Sequence, residues 1–142
     1  MAFNVLIVDD SASMRAVIKR SIKVSGFNVG EYWEAGDGRQ ALTVLKNQWV
    51  DIVLTDINMP NMNGMELVAE MKTDPVLGSI PVVMVTTEGR EERVQESMEL
   101  GASGYIKKPF LPEDVKRTLS DILGETEDAE RGPVDEFEDG DF

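Results

Sequence analysis

The feature of this sequence that most constrains its fold is a regular alternation of short apolar runs with amphipathic segments. Most of these runs are continuous, as in a strand buried on both faces, whereas the run at residues 28–35 is less apolar. Strands that alternate with helices predict a parallel sheet covered by helices on both faces. We therefore expect an α/β fold with a doubly wound sheet whose five strands cover residues 5–10, 28–35, 51–56, 81–87 and 104–108.

The segments between the strands predict five helices. The first places four apolar residues at helical spacing, Met14, Val17, Ile18 and Ile22. The fourth helix has few apolar positions, chiefly Val94 and Met98, so it should bury little surface. The predicted helices cover residues 11–26, 37–47, 65–72, 89–100 and 112–123.

Composition excludes several kinds of site. The chain of 142 residues contains no cysteine and no histidine, so any metal site must be built from oxygen ligands, which favour Mg²⁺, Ca²⁺ or Mn²⁺. A net charge of −13 argues against a nucleic-acid partner, because phosphate contacts need clustered cations. No apolar run is long enough to span a membrane and the N-terminus lacks a basic region, so we expect a cytoplasmic protein.

The acidic charge is concentrated at the C-terminus. Residues 124–142 contain nine acids and one arginine, a net of −8 that leaves −5 for residues 1–123. The segment has no apolar periodicity, which predicts a disordered tail after a single domain formed by residues 1–123. The alternative is a recognition segment that uses Phe137 and Phe142.

Polar side chains follow four of the five predicted strands. In an open parallel sheet, ligands bind beyond the carboxyl ends of the strands, so residues far apart in sequence should converge there. Two aspartates follow the first strand, one follows the third, two threonines end the fourth and a lysine ends the fifth; these are Asp9, Asp10, Asp56, Thr86, Thr87 and Lys108.

The charge of this predicted cluster indicates its chemistry. Three carboxylates against one lysine leave −2, which a divalent cation would neutralise, and Mg²⁺ with retained waters suits a site with few oxygen ligands. A phosphoryl group taken up by Asp56 would add negative charge, so transfer should need the ion. Lys108 and Thr86 would then hold the phosphoryl oxygens by charge and hydrogen bonding.

Four motifs in order resemble the receiver domain of two-component response regulators, specifically its single-domain chemotaxis (CheY-like) type. The resemblance covers about Phe3 to Leu123 and is carried by VDD (8–10), DINMPNMNG (56–64), MVTTE (84–88) and GASGYIKKPF (101–110). It implies a flavodoxin-like fold with strand order 2-1-3-4-5. It also implies a phosphoprotein that acts in signal transduction.

The resemblance assigns a role to each matching position. Asp56 would be the phosphoacceptor, with Mg²⁺ bound by Asp9, Asp10 and Asp56 and by the backbone carbonyl of Asn58. Thr86 and Lys108 would contact the phosphoryl group, and Tyr105 would report the phosphorylation state. A cis peptide bond is implied before Pro109. Thr87 departs from the pattern, since the family usually has a small residue there, and the acidic tail lies outside it.

The resemblance also implies partners. A histidine kinase would donate the phosphoryl group, and the protein would be no enzyme but a phosphoacceptor that promotes its own phosphorylation and dephosphorylation. Because about 20 tail residues cannot form an output domain, the signal should pass to another protein through the face formed by residues 89–123. A component of chemotaxis or the flagellar motor switch is the implied target. We expect a monomer.

Other functions for the same residues remain open. An aspartyl-phosphate phosphatase of the haloacid-dehalogenase type also uses a sheet-end aspartate and Mg²⁺, but it needs an acid where this chain has Asn58, which cannot transfer a proton. A third possibility is a degenerate receiver that binds partners without phosphorylation. GDGRQA (36–41) imitates a dinucleotide fingerprint, although Asp37 would repel the pyrophosphate. The glycine of DINMPNMNG is misplaced for a calcium loop.

Each site residue also has a purely structural interpretation. The pair Asp9 and Asp10 could cap the first helix, since acids are favoured at a helix N-terminus. Asp56 could instead stabilise the turn that follows it. Lys108 could be a solvated loop residue, and Tyr105 could belong to the core.

Overall fold

The computed structural model describes residues 2–87 and 91–124 and contains one five-stranded sheet. Neighbouring strands pair in parallel in the order β2-β1-β3-β4-β5, which confirms the predicted fold class and strand order. The order changes direction between β1 and β3, so the crevice expected for a ligand lies above these strands. The strands are β1 (Phe3–Val8), β2 (Val29–Ala35), β3 (Ile52–Thr55), β4 (Val82–Thr86) and β5 (Gly104–Lys107).

In the described residues, five helices connect and follow the strands, close to the predicted ranges. The first two residues of the predicted fourth helix, 89–90, and the predicted disordered tail after residue 124 lie outside the described residues. A 3₁₀ turn at Leu77–Ser79, which the sequence did not predict, precedes β4. No helix in the described part of the chain is long and apolar enough to cross a membrane. The helices are α1 (Ala12–Ser25), α2 (Gly38–Asn47), α3 (Gly64–Lys72), α4 (Glu91–Glu99) and α5 (Pro112–Leu123).

The core consists of two apolar layers, one on each side of the sheet. Helices α1 and α5 cover one face, where Ile18, Ile22 and Leu119 are fully buried. Helices α2 and α3 cover the other, where Leu67 and Met71 are buried. The alternating side chains of the central strands feed both layers, which explains their continuous apolar sequences. One predicted core position is wrong: Val17 of α1 is 49% exposed and faces outward.

Helix α4 contributes much less to the core than the other helices do. Among its described side chains, Ser97 alone is buried, and its hydroxyl donates to the carbonyl of Val94. Met98, one of the two apolar positions on which the sequence interpretation relied, is exposed. The structure thus confirms the prediction that α4 buries little surface, and Met98 contributes even less than the sequence suggested.

Candidate functional site

The connection after β3 holds Asp56 firmly. Its amide donates to the carbonyl of Val8 (3.0 Å), and its Oδ1 accepts from the amide of Ile57 (2.7 Å). Gly64 closes the connection by donating to the carbonyl of Ile57, and a Cβ at that glycine would lie 2.3 Å from the carbonyl oxygen of Asp56. Asn63 then starts α3 with a capping box. The turn residues that follow the buried strand therefore fix where the carboxylate points.

Asp9 and Asp10 approach the same point from the end of β1. Asp9 is buried and its Oδ1 accepts from the amide of Ser11 (2.9 Å), whereas Asp10 is exposed. The N-cap of α1 is Ser11, whose hydroxyl accepts from the amide of Met14. The interpretation of Asp9 and Asp10 as caps of the first helix is therefore wrong, because Ser11 occupies the capping position. One carboxylate oxygen from each of Asp9, Asp10 and Asp56 lies within 4.8 Å of the others.

Lys108 completes the cluster from the end of β5. Its Nζ lies 3.2 Å from Oδ2 of Asp9 and 3.7 Å from Oδ2 of Asp56, and its side chain is only 11% exposed. The interpretation as a solvated loop lysine is therefore wrong. The peptide bond between Lys108 and Pro109 is cis, as the resemblance implied.

The electrostatics of the cluster favour a further positive charge. Burial raises the pKa of Asp56, and the Asp9 carboxylate adds to this, while the Lys108 ammonium opposes it. Three carboxylates and one lysine leave a formal charge of −2 in a partly desolvated crevice. An all-oxygen donor set with clustered carboxylates fits Mg²⁺, whose preferred ligands are carboxylates and water.

The remaining predicted residues lie on β4, directly after β4 and on β5. Thr86, the last residue of β4, is fully buried, and its carbonyl accepts from the amide of Lys108 (2.9 Å). Thr87 is exposed. Tyr105 of β5 pairs with Met84 and is 47% exposed, so it is not a core residue. These positions put a buried hydroxyl residue and an exposed aromatic on adjacent strands.

One residue near the site was missed by the sequence analysis. Arg93 of α4 lies close enough to Asn58 for its Nη2 to donate to the side-chain oxygen at 3.4 Å. Its Nε is buried and has no hydrogen-bond partner among the described residues. The two residues are 35 positions apart, and nothing in the sequence of α4 distinguishes this arginine from a solvated one.

The segment that imitates a dinucleotide fingerprint serves a structural purpose. Asp37 caps α2, with its Oδ1 accepting from the backbone amide of Gln40 and its Oδ2 from the side-chain Nδ2 of Asn61 (2.7 Å). These hydrogen bonds lower the pKa of Asp37. A Cβ at Gly38 would lie 2.5 Å from the side chain of Met62. The glycine therefore allows the β3–α3 connection to pack against α2, and the amide of Gly38 already donates to the carbonyl of Met62 (3.0 Å).

Comparison with protein families gives a match over most of the chain. Residues 5–120 match the family described as the response regulator receiver domain. The match covers all five strands apart from the first two residues of β1, and it includes every residue of the carboxylate–lysine cluster.

Individual relatives agree with that match. A chemotaxis protein CheY homolog from Campylobacter jejuni is 41% identical over 120 residues, which cover 84% of this chain and 91% of the relative. The structure of the chemotaxis protein CheY4 of Vibrio cholerae has 36% identity and a TM-score of 0.76, covering 87% of this chain and all of that one. The CheX–CheY–BeF₃–Mg²⁺ complex from Borrelia burgdorferi gives 31% identity and a TM-score of 0.75, with 85% and 89% covered.

Proposed function

This chain belongs to the family of response regulator receiver domains, and we propose that it is a signalling switch activated by phosphorylation of Asp56. The observation that carries the proposal is the convergence of three carboxylates and Lys108 at the carboxyl edge of the sheet. Of the three carboxylates, Asp56 is the one held in place by the connection after β3. We propose that this carboxylate is the nucleophile that accepts the phosphoryl group.

The proposed reaction is transfer from a phosphohistidine of a histidine kinase. A carboxylate oxygen of Asp56 attacks phosphorus while the P–N bond breaks, and the imidazole nitrogen of the kinase leaves with the bonding pair. The product is an acyl phosphate that carries about one more negative charge than the free carboxylate. Charge around the transferred group must therefore be compensated before and after the transfer.

Two kinds of group on this chain supply that compensation. The ammonium of Lys108, already within 3.7 Å of Asp56, contacts an oxygen of the phosphoryl group, and Thr86 donates a hydrogen bond to another. Asp9, Asp10, Asp56 and the backbone carbonyl of Asn58 would hold Mg²⁺. When bound, the ion neutralises charge on the phosphoryl oxygens and orients the group for in-line transfer.

The relatives support a role in chemotaxis, because they include chemotaxis proteins. As the target we propose a flagellar motor switch protein, which the resemblance to CheY-like receivers implies. The target would bind the face formed by residues 89–123, of which residues 91–123 belong to the described structure. We propose a cytoplasmic monomer that acts on its target by binding and does not turn over a substrate.

Mass spectrometry after incubation with acetyl phosphate and Mg²⁺ tests the proposal. One phosphoryl group per chain should be bound, and the Asp56→Asn variant or chelation of the metal should abolish labelling. Asp121→Asn, which alters an exposed aspartate of α5, is the matched control and should label fully. Full labelling of Asp56→Asn, or labelling unaffected by chelation, would contradict the proposal.

The same experiment separates the alternative functions. Continuous hydrolysis of phosphomonoesters at enzymatic rates would favour a phosphatase of the haloacid-dehalogenase type. No labelling under any condition would favour a receiver that works without phosphorylation. Stoichiometric labelling followed by slow loss of the phosphoryl group is the result expected for the switch.

A further inference from the structure

Helix α1 is basic in a strongly acidic protein. It carries four cations, Arg15, Lys19, Arg20 and Lys23, and no acidic residue, although the chain has a net charge of −13. Its buried side consists of Ile18 and Ile22. The opposite side, called here the outer α1 face, consists of five exposed residues: Ala16, Val17, Arg20, Lys23 and Val24.

Two of the four cations share one carboxylate on a neighbouring strand as their ion-pair partner. Glu34 of β2 pairs with Arg15 at 2.9 Å and with Lys19 at 3.3 Å, and Arg15 in particular lowers the pKa of Glu34, so this carboxylate stays ionised. By contrast, Arg20 and Lys23 have no ion pair with any residue of the described chain. The outer α1 face therefore combines two exposed valines with two cations that lack an ion pair in the described chain, and the Nζ of Lys23 also lies 5.6 Å from the ring centre of Tyr32.

We propose that the acidic tail of this same chain, residues 125–142, docks on the outer α1 face. The tail contains nine acids and one arginine, with Val134, Phe137 and Phe142 between them. The charge of the tail is opposite to that of Arg20 and Lys23, and its apolar residues can make apolar contacts with Val17 and Val24. The acidic residues of the tail would thus meet the basic residues of the helix, and its apolar residues would meet the two valines.

The start of the tail is well placed for this contact. Helices α1 and α5 pack side by side on the same face of the sheet, and each runs antiparallel to the strand before it, so both end at the same edge. Gly124 follows α5 there, and packed helix axes are about 8–10 Å apart. The 18 residues after Gly124 span roughly 23 Å as a flexible chain and at most about 60 Å when extended.

Other exposed surfaces suit the tail less well. An apolar cleft bordered by Trp49 and Val76 contains Asp51 and no cation among its lining residues. The outer surface of α4 carries Glu92, Glu96 and Glu99, which would repel an acidic segment. Among these surfaces, charge complementarity selects the outer α1 face.

The contact should be weak in isolation but populated within one chain. A short flexible connection gives an effective concentration of the order of mM, so even mM affinity keeps the face covered much of the time. Exposed charges are screened by salt, with a Debye length of about 30 Å at 0.01 M and about 3 Å at 1 M. The docked tail would therefore shield α1 from acidic partners, and salt would release it. The proposal does not depend on phosphorylation of Asp56.

Paramagnetic relaxation in the full-length protein tests this contact. Because the chain has no cysteine, a Gly140→Cys variant accepts a single nitroxide label on the tail. At low salt, amide signals of residues 16–24 should broaden, those of α2 should not, and about 1 M salt should abolish the effect. Broadening of signals near Trp49 or on α4 instead, or no selective broadening at low salt, would overturn the proposal.

A pair of charge variants identifies the surface involved. Arg20→Gln/Lys23→Gln should lose the broadening of α1 signals, while Arg39→Gln/Lys46→Gln, with the same change of charge on α2, should keep it. All four side chains are exposed, so the variants should fold. Equal loss in both variants would overturn the proposal. A mixture of spin-labelled chains and isotope-labelled, label-free chains should show no broadening; broadening there would identify a second copy as the occupant and also overturn it.

Discussion

The two sides of the phosphorylation site are held in very different ways. The acceptor side, residues 56–72, is fixed by backbone hydrogen bonds, by the close approach of Gly64 to Asp56, and by the capping box of α3. The sensor side, residues 86–87 and 91–107 of the described chain, carries Thr86 and leads through α4 to Tyr105. It exposes Met98, Leu100 and Tyr105.

This difference assigns different tasks to the two sides. A nucleophile needs a fixed position, and the packing of α3 provides it, with its buried apolar residues Met65, Leu67, Val68 and Met71. A switch needs an element that moves at little cost, and α4 buries little surface. Phosphorylation can shift an equilibrium only through groups whose contacts with the phosphoryl group differ between the two states. We propose Thr86 as such a group on the sensor side.

The largest expected effect comes from the same substitution made on each side. Leu67→Ala on the acceptor side removes a fully buried side chain and should lower the free energy of unfolding by about 2–5 kcal/mol. Leu100→Ala on the sensor side, where the side chain is 37% exposed, should cost less than about 1 kcal/mol. Urea denaturation measures both values. If both variants lost the same free energy of unfolding, the two sides would not differ in how firmly they are packed.

A second pair of variants tests the fixation of Asp56. Gly64→Ala places a methyl group against the carbonyl of Asp56 and should destabilise the fold by about 1–3 kcal/mol, because backbone atoms must move. Gly78→Ala is the control, since its Cβ would make ordinary contacts at 3.4 Å or more. Thermal unfolding of both variants should separate them. A Gly64→Ala variant as stable as the control would show that the connection is adaptable.

A smaller effect is expected from the charge of Asp56 itself. Its pKa is raised in the folded state, chiefly by burial, so its protonated form is favoured by folding and stability is lost as the pH rises through that pKa. Without divalent cations, Asp56→Asn should therefore melt slightly higher than the wild type at pH 7. The difference should shrink as the pH falls toward the ordinary value of 3.8. A lower melting temperature for Asp56→Asn at pH 7 would contradict this sign.

Much of the fold could be predicted because local sequence and global topology agree. The continuous apolar strands and their spacing predict the elements within one or two residues, and the receiver-domain resemblance is confirmed by the family match. Helical spacing alone failed at Val17, because this residue lies at the edge of the apolar stripe of α1 and turns away from the sheet, whereas Ile18 and Ile22 face it. Val17 instead forms part of the exposed outer α1 face.

The site could be predicted in outline but not in its contacts. Because the carboxyl ends of parallel strands converge, the sequence predicts that Asp9, Asp56 and Lys108 lie close together. In the structure, Lys108 contacts both aspartates. Arg93 could not be predicted, because its approach to Asn58 depends on the docking angle of α4 and on no local signal. The functional roles of the site residues stay predictions; these residues are Asp9, Asp10, Asp56, Asn58, Thr86, Tyr105 and Lys108.

Amide hydrogen exchange with and without beryllofluoride, a mimic of the phosphoryl group, tests the central claim most directly. Residues 91–107 on the sensor side should change their exchange in the presence of Mg²⁺ and the mimic, while α3 on the acceptor side should change little. The Asp56→Asn variant should show no response. Changes confined to α1, with residues 91–107 unaffected, would contradict the account.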